Sequence, residues 1–491
     1  MNVMFVDPKW NYELGYNLGL AYVLTAVEKK HAVSLLDMTF QSGFQEKYIV
    51  KKVKKETPDI VGISVVTGAN YVHTLRIAQA IKRLNSDILI VLGGVLPTLY
   101  PDLIIHEPLI DALCIGEGEV TFVEYVDKIE NKEPPLVKGI WYKEKDGTVI
   151  KNELRPLINN LDDIAFPNWD YWDMDKHVKA SRFMSGALAC GASRACPYDC
   201  SFCFEPVLRK AVPGKSYRTR SAENIIREIE FNVNKYGKYG ISHIDFYDSI
   251  LGFDRQQLEK FCALFVKHGL DKKLTWAGVT RVEMITEEWA RCVAQANCVR
   301  LAIGVESIDD VVRNKIYNKN ITLEQIENAF HLLDKNNIMA SCYLMVNAMY
   351  DTEETMNKSI AFLRKFNPET SRFTLCLPLP HSKLADEMLD TEKWLTSTID
   401  LKECFRSYSP MFGAVKRMKT IWRLKFISMR ICDGIRLRGV VFLWDIIKYL
   451  LSINNARVIP LFKRFTLNIL MHKTIYAYMR EERARRRSQT T

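Results

Sequence analysis

The stretch Ser193-Arg-Ala-Cys-Pro-Tyr-Asp-Cys-Ser-Phe-Cys-Phe204 carries three cysteines, Cys196, Cys200 and Cys203, in the spacing Cys-x3-Cys-x2-Cys. Three thiolates on one short loop can hold three irons of a cubane 4Fe–4S cluster and leave the fourth iron without a protein ligand. An open metal position is where a small molecule binds and reacts. A structural zinc site normally needs four ligands. The nearest candidates for a fourth, Cys190 and His177, stand at spacings that match no usual zinc pattern. A disulfide reading fails if the chain is cytosolic, as its composition suggests below.

Downstream of this loop, strand and helix signals alternate. Helices are expected over 221–236, with Ser221 as N-cap, and over 258–268, 286–295, 308–317 and 323–336. Strands are expected over 243–247, 275–278, 299–303, 340–346 and 372–377, and residues 185–192 lead into the cysteine loop. This pattern predicts a partial (β/α)6 TIM-like barrel over 181–390, with its chemistry at the carboxyl ends of the strands.

Upstream, the pattern predicts a second α/β unit. Short apolar strands are expected over 2–6, 32–36, 60–64, 88–92 and 112–115, separated by helices around 18–30, 51–56 and 71–84. Continuous apolar strands alternating with helices imply a doubly wound parallel sheet, with ligands beyond the strands' carboxyl ends. Those ends carry Ser64-Val-Val-Thr-Gly68, Gly93-Gly-Val-Leu-Pro-Thr98 and Gly116-Glu-Gly-Glu119. A Gly-Gly pair lets backbone approach a bulky ligand closely. No Gly-x-Gly-x-x-Gly follows the first strand, which argues against a dinucleotide site. The fold class expected is therefore α/β: a Rossmann-like domain over 1–135, a connector over 136–180, the barrel over 181–390 and a helical basic region over 391–491. The connector is rich in Pro, Asp and Trp, and Lys145-Asp-Gly147 predicts a hairpin within it.

The cysteine loop, with an aromatic before its third cysteine, resembles the radical S-adenosylmethionine (SAM) family. The order Leu18-Gly-Leu-Ala-Tyr22, Asp59-Ile-Val-Gly-Ile-Ser64, Leu92-Gly-Gly94 and Gly116-Glu-Gly-Glu119 is similar to the cobalamin-binding domain that precedes many such cores. The resemblance implies a class B radical SAM methyltransferase with three cofactors: a 4Fe–4S cluster on Cys196, Cys200 and Cys203, SAM, and cobalamin. SAM would chelate the open iron and yield a 5′-deoxyadenosyl radical, and cobalamin would carry the methyl group to an unactivated carbon.

Ser64, Val66, Thr67, Gly93, Gly94, Gly116 and Glu117 would line the corrinoid by the same resemblance. The Asp-x-His-x-x-Gly motif that ligates cobalt elsewhere is absent, so the cobalt is expected without a protein histidine. Asp248, Arg281, Glu306 (in Gly304-Val-Glu-Ser307) and Lys319 fall at SAM-contact positions. Ser249 stands where a second aspartate is usual. Asn347-Ala-Met-Tyr-Asp351 replaces Gly-Leu-Pro-Gly-Glu, and His381 replaces a glycine. His381 and Cys376 are the candidate catalytic groups on the substrate side. An oxidation, cyclisation or ring rearrangement without methyl transfer is the alternative reaction. The resemblance also implies an electron donor such as flavodoxin or ferredoxin, and a small-molecule, lipid or peptide substrate.

Composition bounds the rest. The chain has 491 residues, 48% of them hydrophobic, and a formal net charge of +10. Residues 414–491 hold 18 Lys/Arg against 4 Asp/Glu, which leaves 50 against 54 before them. The basicity belongs to the tail. Its basic-apolar pattern reads as a helical cap over 421–470 or as a peripheral membrane contact, and the Arg-rich end as solvated. No nucleic-acid module accompanies it. No secretory signal and no 18-residue apolar run is visible, so a reduced cytoplasmic setting is expected, with membrane association only through the tail.

Overall fold

The structure is a computed structural model. It describes residues 1–9, 15–41, 44–66, 68–180, 186–346, 350–366, 368, 370–376 and 382–384. Thr67, Asn347 to Met349, His381 and the basic tail lie outside the described residues. Two compact units emerge. One holds Met1–Pro197 and Glu205–Ser249, and the other holds Tyr198–Phe204 and the described residues from Ile250 to Leu384.

The first unit opens with β1 (Asn2–Asp7), α1 (Leu18–Val27), β2 (Ala32–Asp37), α2 (Glu46–Glu56), β3 (Ile60–Ser64), α3 (Gly68–Leu84) and β4 (Leu89–Gly93). Short helices α4 (Val95–Leu99) and α5 (Pro101–Ile104) follow, then β5 (Ala112–Cys114) and α6 (Gly118–Glu130). Strands β1 to β5 pair in parallel in the order β2-β1-β3-β4-β5. Most of their apolar residues are buried, as in a sheet with helices over both faces. Gly62 sits in β3 where a side chain would press on Phe5 and Phe122.

The hairpin expected at Lys145-Asp-Gly147 forms as β6 (Ile140–Lys143) and β7 (Val149–Lys151). It closes through Glu144 and Thr148, and Asp146 caps the turn by accepting from the Thr148 N–H. Strand β6 then pairs antiparallel with β5, so the sheet continues past residue 135. The connector is also packed. Trp169 and Trp172 are buried, and Trp169 meets Tyr16 edge-on at 4.9 Å. Helix α7 (Met174–Lys179) buries His177, which faces Asp37 at 2.6 Å.

The same unit carries β8 (Ala187–Cys190), β9 (Ser193–Arg194), α8 (Glu205–Ala211), β10 (Arg218–Thr219), α9 (Ala222–Tyr236) and β11 (His243–Phe246). Strands β8 and β11 pair in parallel, and β9 and β10 form a two-stranded antiparallel ribbon. Helix α8, directly after the third cysteine, and the ribbon are features that sequence periodicity did not suggest.

The second unit contains α10 (Arg255–Lys267), β12 (Thr275–Thr280), α11 (Glu287–Gln295), β13 (Cys298–Glu306), α12 (Leu323–Lys335), β14 (Met339–Val346), α13 (Glu353–Phe366) and β15 (Thr370–Leu375). Strands β12, β13, β14 and β15 pair in parallel in chain order. This is the strand–helix repeat expected of the barrel. Residues 311–316 form a wide π-helical turn rather than the regular helix expected over 308–317. The side chain of Arg313, within this turn, is buried. It donates to the carbonyls of Ser307, Ile308 and Ile321, tying that turn to the chain on both sides.

Candidate cofactor sites

Cys200 is buried, and Cys196 and Cys203 are half-buried. The Cys203 N–H donates to the Cys200 carbonyl at 3.1 Å, which curls the loop tightly. Ala195, directly before Cys196, holds a left-handed φ of +64°, a conformation that costs a side-chain-bearing residue free energy. The second unit brings the Cys200 end of the loop to three of the predicted SAM-contact residues. Arg281, just past β12, donates from Nη1 to the Cys200 Sγ at 3.2 Å and from Nη2 to the Lys319 carbonyl. Its guanidinium stacks 3.8 Å above the Tyr198 ring.

Glu306 ends β13 with φ +66° and a register shift against β14. That backbone turns its carboxylate back to Lys319 Nζ at 3.3 Å. Gly304 leaves the space for this, because a β-carbon there would fall on the Glu306 carboxylate and the Lys319 ammonium. Lys319 is buried, and its charge is offset mainly by Glu306.

Asp248 follows β11 in the first unit. It accepts from the Ala192 N–H and the Ser193 hydroxyl. Burial pushes its carboxyl up to about 6, against the opposing pull of those donors. Asp248 thus grips the backbone that leads to Cys196. Ser249 donates to Glu205, whose carboxyl burial also raises. Arg209 donates to the Cys196 carbonyl at 3.2 Å. Glu205 and Arg209 were not singled out from sequence, since both read as ordinary helix residues. Their place in α8, next to the cysteines, was the only signal. Cys190 is buried near Glu228 and Arg220, and burial pushes its thiol well above the usual range.

At the carboxyl ends of β3 and β4 stand Ser64, Val66, Gly93 and Gly94. Ser64 and Gly93 are half-buried, and Val66 is an exposed apolar side chain. Gly94 has φ +97°, and a β-carbon there would strike the Val65 backbone. The glycine therefore serves close packing of two turns of the protein itself. Gly116, φ +84°, is tied to this edge: its N–H donates to Thr98 Oγ1, which in turn donates to the Gly94 carbonyl. Both oxygens of Glu117 accept from Arg194, Arg218 and the Ile158 N–H. Cys376 is buried just past β15, beside Tyr317, whose hydroxyl is raised by burial first and by Cys376 next.

The donor chemistry fits the expected groups. The loop offers three thiols, and a cubane gives each its own iron. Among the described residues no three His, Cys, Asp or Glu side chains converge on a single ion. Arg281 supplies a cationic donor to the Cys200 sulfur. Lys319, Glu306 and Arg281 offer both signs of charge for the carboxylate and ammonium of an amino acid. Exposed Val66 beside the Gly93-Gly94 turn presents an apolar edge to a flat ligand.

Residues 12–126 match the B12-binding domain model, and residues 192–363 match the radical SAM superfamily model. An uncharacterised methyltransferase of Pyrococcus horikoshii is 32% identical over 399 residues, 79% of this chain and 82% of that protein. The chain belongs to the cobalamin-dependent radical SAM methyltransferase family. Its cofactors are a 4Fe–4S cluster, SAM and cobalamin.

A second relative of this family member is an anaerobic magnesium-protoporphyrin IX monomethyl ester cyclase of Rubrivivax gelatinosus. It is 28% identical over 404 residues, 79% of this chain and 70% of that one. Among solved structures, the radical SAM methyltransferase TsrM of Kitasatospora setae, with tryptophan and a SAM analogue bound, has the same fold. The TM-score is 0.67 at 18% identity, over 79% of this chain and 76% of that one. The cobalamin-dependent radical SAM enzyme OxsB aligns with a TM-score of 0.61 at 22% identity, over 80% and 56% of the two chains. Among the described residues no helix is long and apolar enough to cross a membrane.

Proposed function

We propose that this enzyme methylates an unactivated carbon of a small-molecule, lipid or peptide substrate, using the residues described above. The observation that carries the reading is the group formed by Cys200, Arg281, Lys319 and Glu306. When bound, the cluster and SAM supply a 5′-deoxyadenosyl radical, and the corrinoid supplies the methyl group.

The chain's own residues do the placing. Cys196, Cys200 and Cys203 hold the cluster. Lys319 and Arg281 take the SAM carboxylate, and Glu306 takes a polar hydrogen of the same ligand; such charge-assisted bonds are about twice as strong as neutral ones. Asp248, at a SAM-contact position, also holds the arm before Cys196. Ser64, Val66, Gly93 and Gly94 line the corrinoid, with Gly116 supporting that edge through Thr98. Thr67 and His381 keep the roles expected from sequence, corrinoid contact and substrate contact. Cys376 stands near Tyr317 as the candidate hydrogen donor at the barrel end.

The domain limits proposed are 1–135, 136–180, 181–390 and 391–491, with the hairpin of residues 140–151 joined to the first sheet. A low-potential donor such as flavodoxin or ferredoxin would supply the electron. A peripheral membrane contact through residues 414–491 predicts salt-sensitive sedimentation with anionic vesicles. A helical cap predicts none.

Product analysis with reduced enzyme, cobalamin and substrate tests the reaction. Methylation yields S-adenosylhomocysteine and 5′-deoxyadenosine in similar amounts. Deoxyadenosine without S-adenosylhomocysteine would point instead to cyclisation or oxidation, a reading supported by the cyclase relative.

A further inference from the structure

Cys196 sits at the end of an arm that is held residue by residue. The Gly191 carbonyl accepts from Arg220, and the Ala192 carbonyl accepts from the Arg220 N–H. Asp248 takes the Ala192 N–H and the Ser193 hydroxyl. Arg194 comes next, then the left-handed Ala195, then Cys196. In the β9–β10 ribbon Arg194 lies directly opposite Arg218. Like charges directly opposite one another on a ribbon repel. Something must hold these two guanidiniums together.

Glu117 does so. Its Oε1 accepts from Arg194 Nη1 at 2.7 Å and from Arg218 Nη2 at 2.9 Å. Its Oε2 accepts from Arg218 Nη1 at 2.9 Å and from the Ile158 N–H at 2.7 Å. Glu119 takes the other Arg194 nitrogen. The cluster is neutral, with two arginines and two glutamates, and its side chains are 4–22% exposed. A buried pair of this kind fails badly when one partner is lost, because an uncompensated charge stays behind. Burial pushes the Glu117 carboxyl up, but Arg218 and Arg194 more than offset this and hold it below its usual range.

The geometry points to Glu117 as a positioning residue. It clamps Arg194 and so fixes the place of Cys196, two residues on, as a ligand for the cluster. This goes beyond corrinoid lining, the role its Gly-Glu-Gly-Glu turn suggests, and it rests on the radical SAM reading of the cysteine loop. Glu117 is also bonded in the chain to Gly116, whose N–H donates to Thr98 Oγ1, which donates to the Gly94 carbonyl.

The test uses the full chain reconstituted with iron, sulfide and cobalamin. Glu117→Gln keeps the side chain's shape and loses its charge. Iron and sulfide content should stay at wild-type levels, because all three cysteines remain. The electron paramagnetic resonance signal of the reduced cluster should broaden, and its shift on adding SAM should shrink. Uncoupled 5′-deoxyadenosine per methylated product should rise several-fold. Should Glu117→Gln fail to fold, Arg194→Lys keeps the charge but cannot bridge both glutamates, and the same readouts apply. A wild-type SAM-induced shift and unchanged coupling in a folded variant would overturn the clamp. A wild-type enzyme that shows no SAM-induced shift and no deoxyadenosine would overturn the radical reading itself, whatever the variants do.

Discussion

Glu306 shows how a single backbone angle decides a contact. A residue with a β-carbon at φ +66° is held there only because its surroundings demand it. Here the angle aims the carboxylate at Lys319 across the space left by Gly304. Gly304→Ala should displace that carboxylate and weaken SAM binding about tenfold, or about 1.4 kcal/mol, by equilibrium dialysis. Cluster content should not change. Asp248 makes a pH prediction. An unfolded aspartate titrates near 3.8 and the buried one near 6, so the folded protein holds the extra proton in between. Its contribution to stability is present at low pH and is lost as pH rises through about 6. Asp248→Asn cannot charge. Its stability relative to wild type should improve by about 2 kcal/mol between about pH 4.5 and about pH 7.5, read from urea melts of the apoprotein.

Elements that sequence located well are those with a local cause. Ser221 accepts from the Asn224 N–H and starts α9 where expected, and Thr322 with Gln325 forms a full capping box at α12. Ser221→Ala should cost about 1 kcal/mol, seen as a lower urea midpoint with an unchanged slope. Strands β1, β3, β4 and β5 of the first sheet were legible because they are largely buried and so read as short apolar runs. Helix α8 was not. Its seven residues are too short to show a period, and its role lies in Glu205 and Arg209 reaching Ser249 and the Cys196 carbonyl. The hairpin was legible from its turn, but its pairing with β5 was not, since strand partners are chosen by packing rather than by the strands' own residues.

For the whole molecule, the cluster and corrinoid functions sit on different stretches of chain and should separate by mutation. Cys200→Ala should abolish SAM cleavage while the cobalamin absorbance of the purified holoenzyme is retained. Loss of both would show that the corrinoid depends on an intact cluster loop. The charge of the chain divides as well, with the excess confined to residues 414–491. Deleting those residues should lower the measured isoelectric point below 7, since 50 basic groups then face 54 acidic ones.

By itself the sequence determined the chemistry. Three closely spaced thiols, Gly-Val-Glu-Ser and the alternation of apolar strands with helices are local patterns, and local patterns survive in one dimension. The tertiary structure alone decided the partners. Glu117 meets Arg194 and Arg218 across 77 and 101 residues, and Asp248 meets Ser193 across 55. Arg281 meets Cys200 across 81. A charged side chain in a sequence does not say which opposite charge it will be buried with, because desolvation makes that choice only once the chain has closed around both.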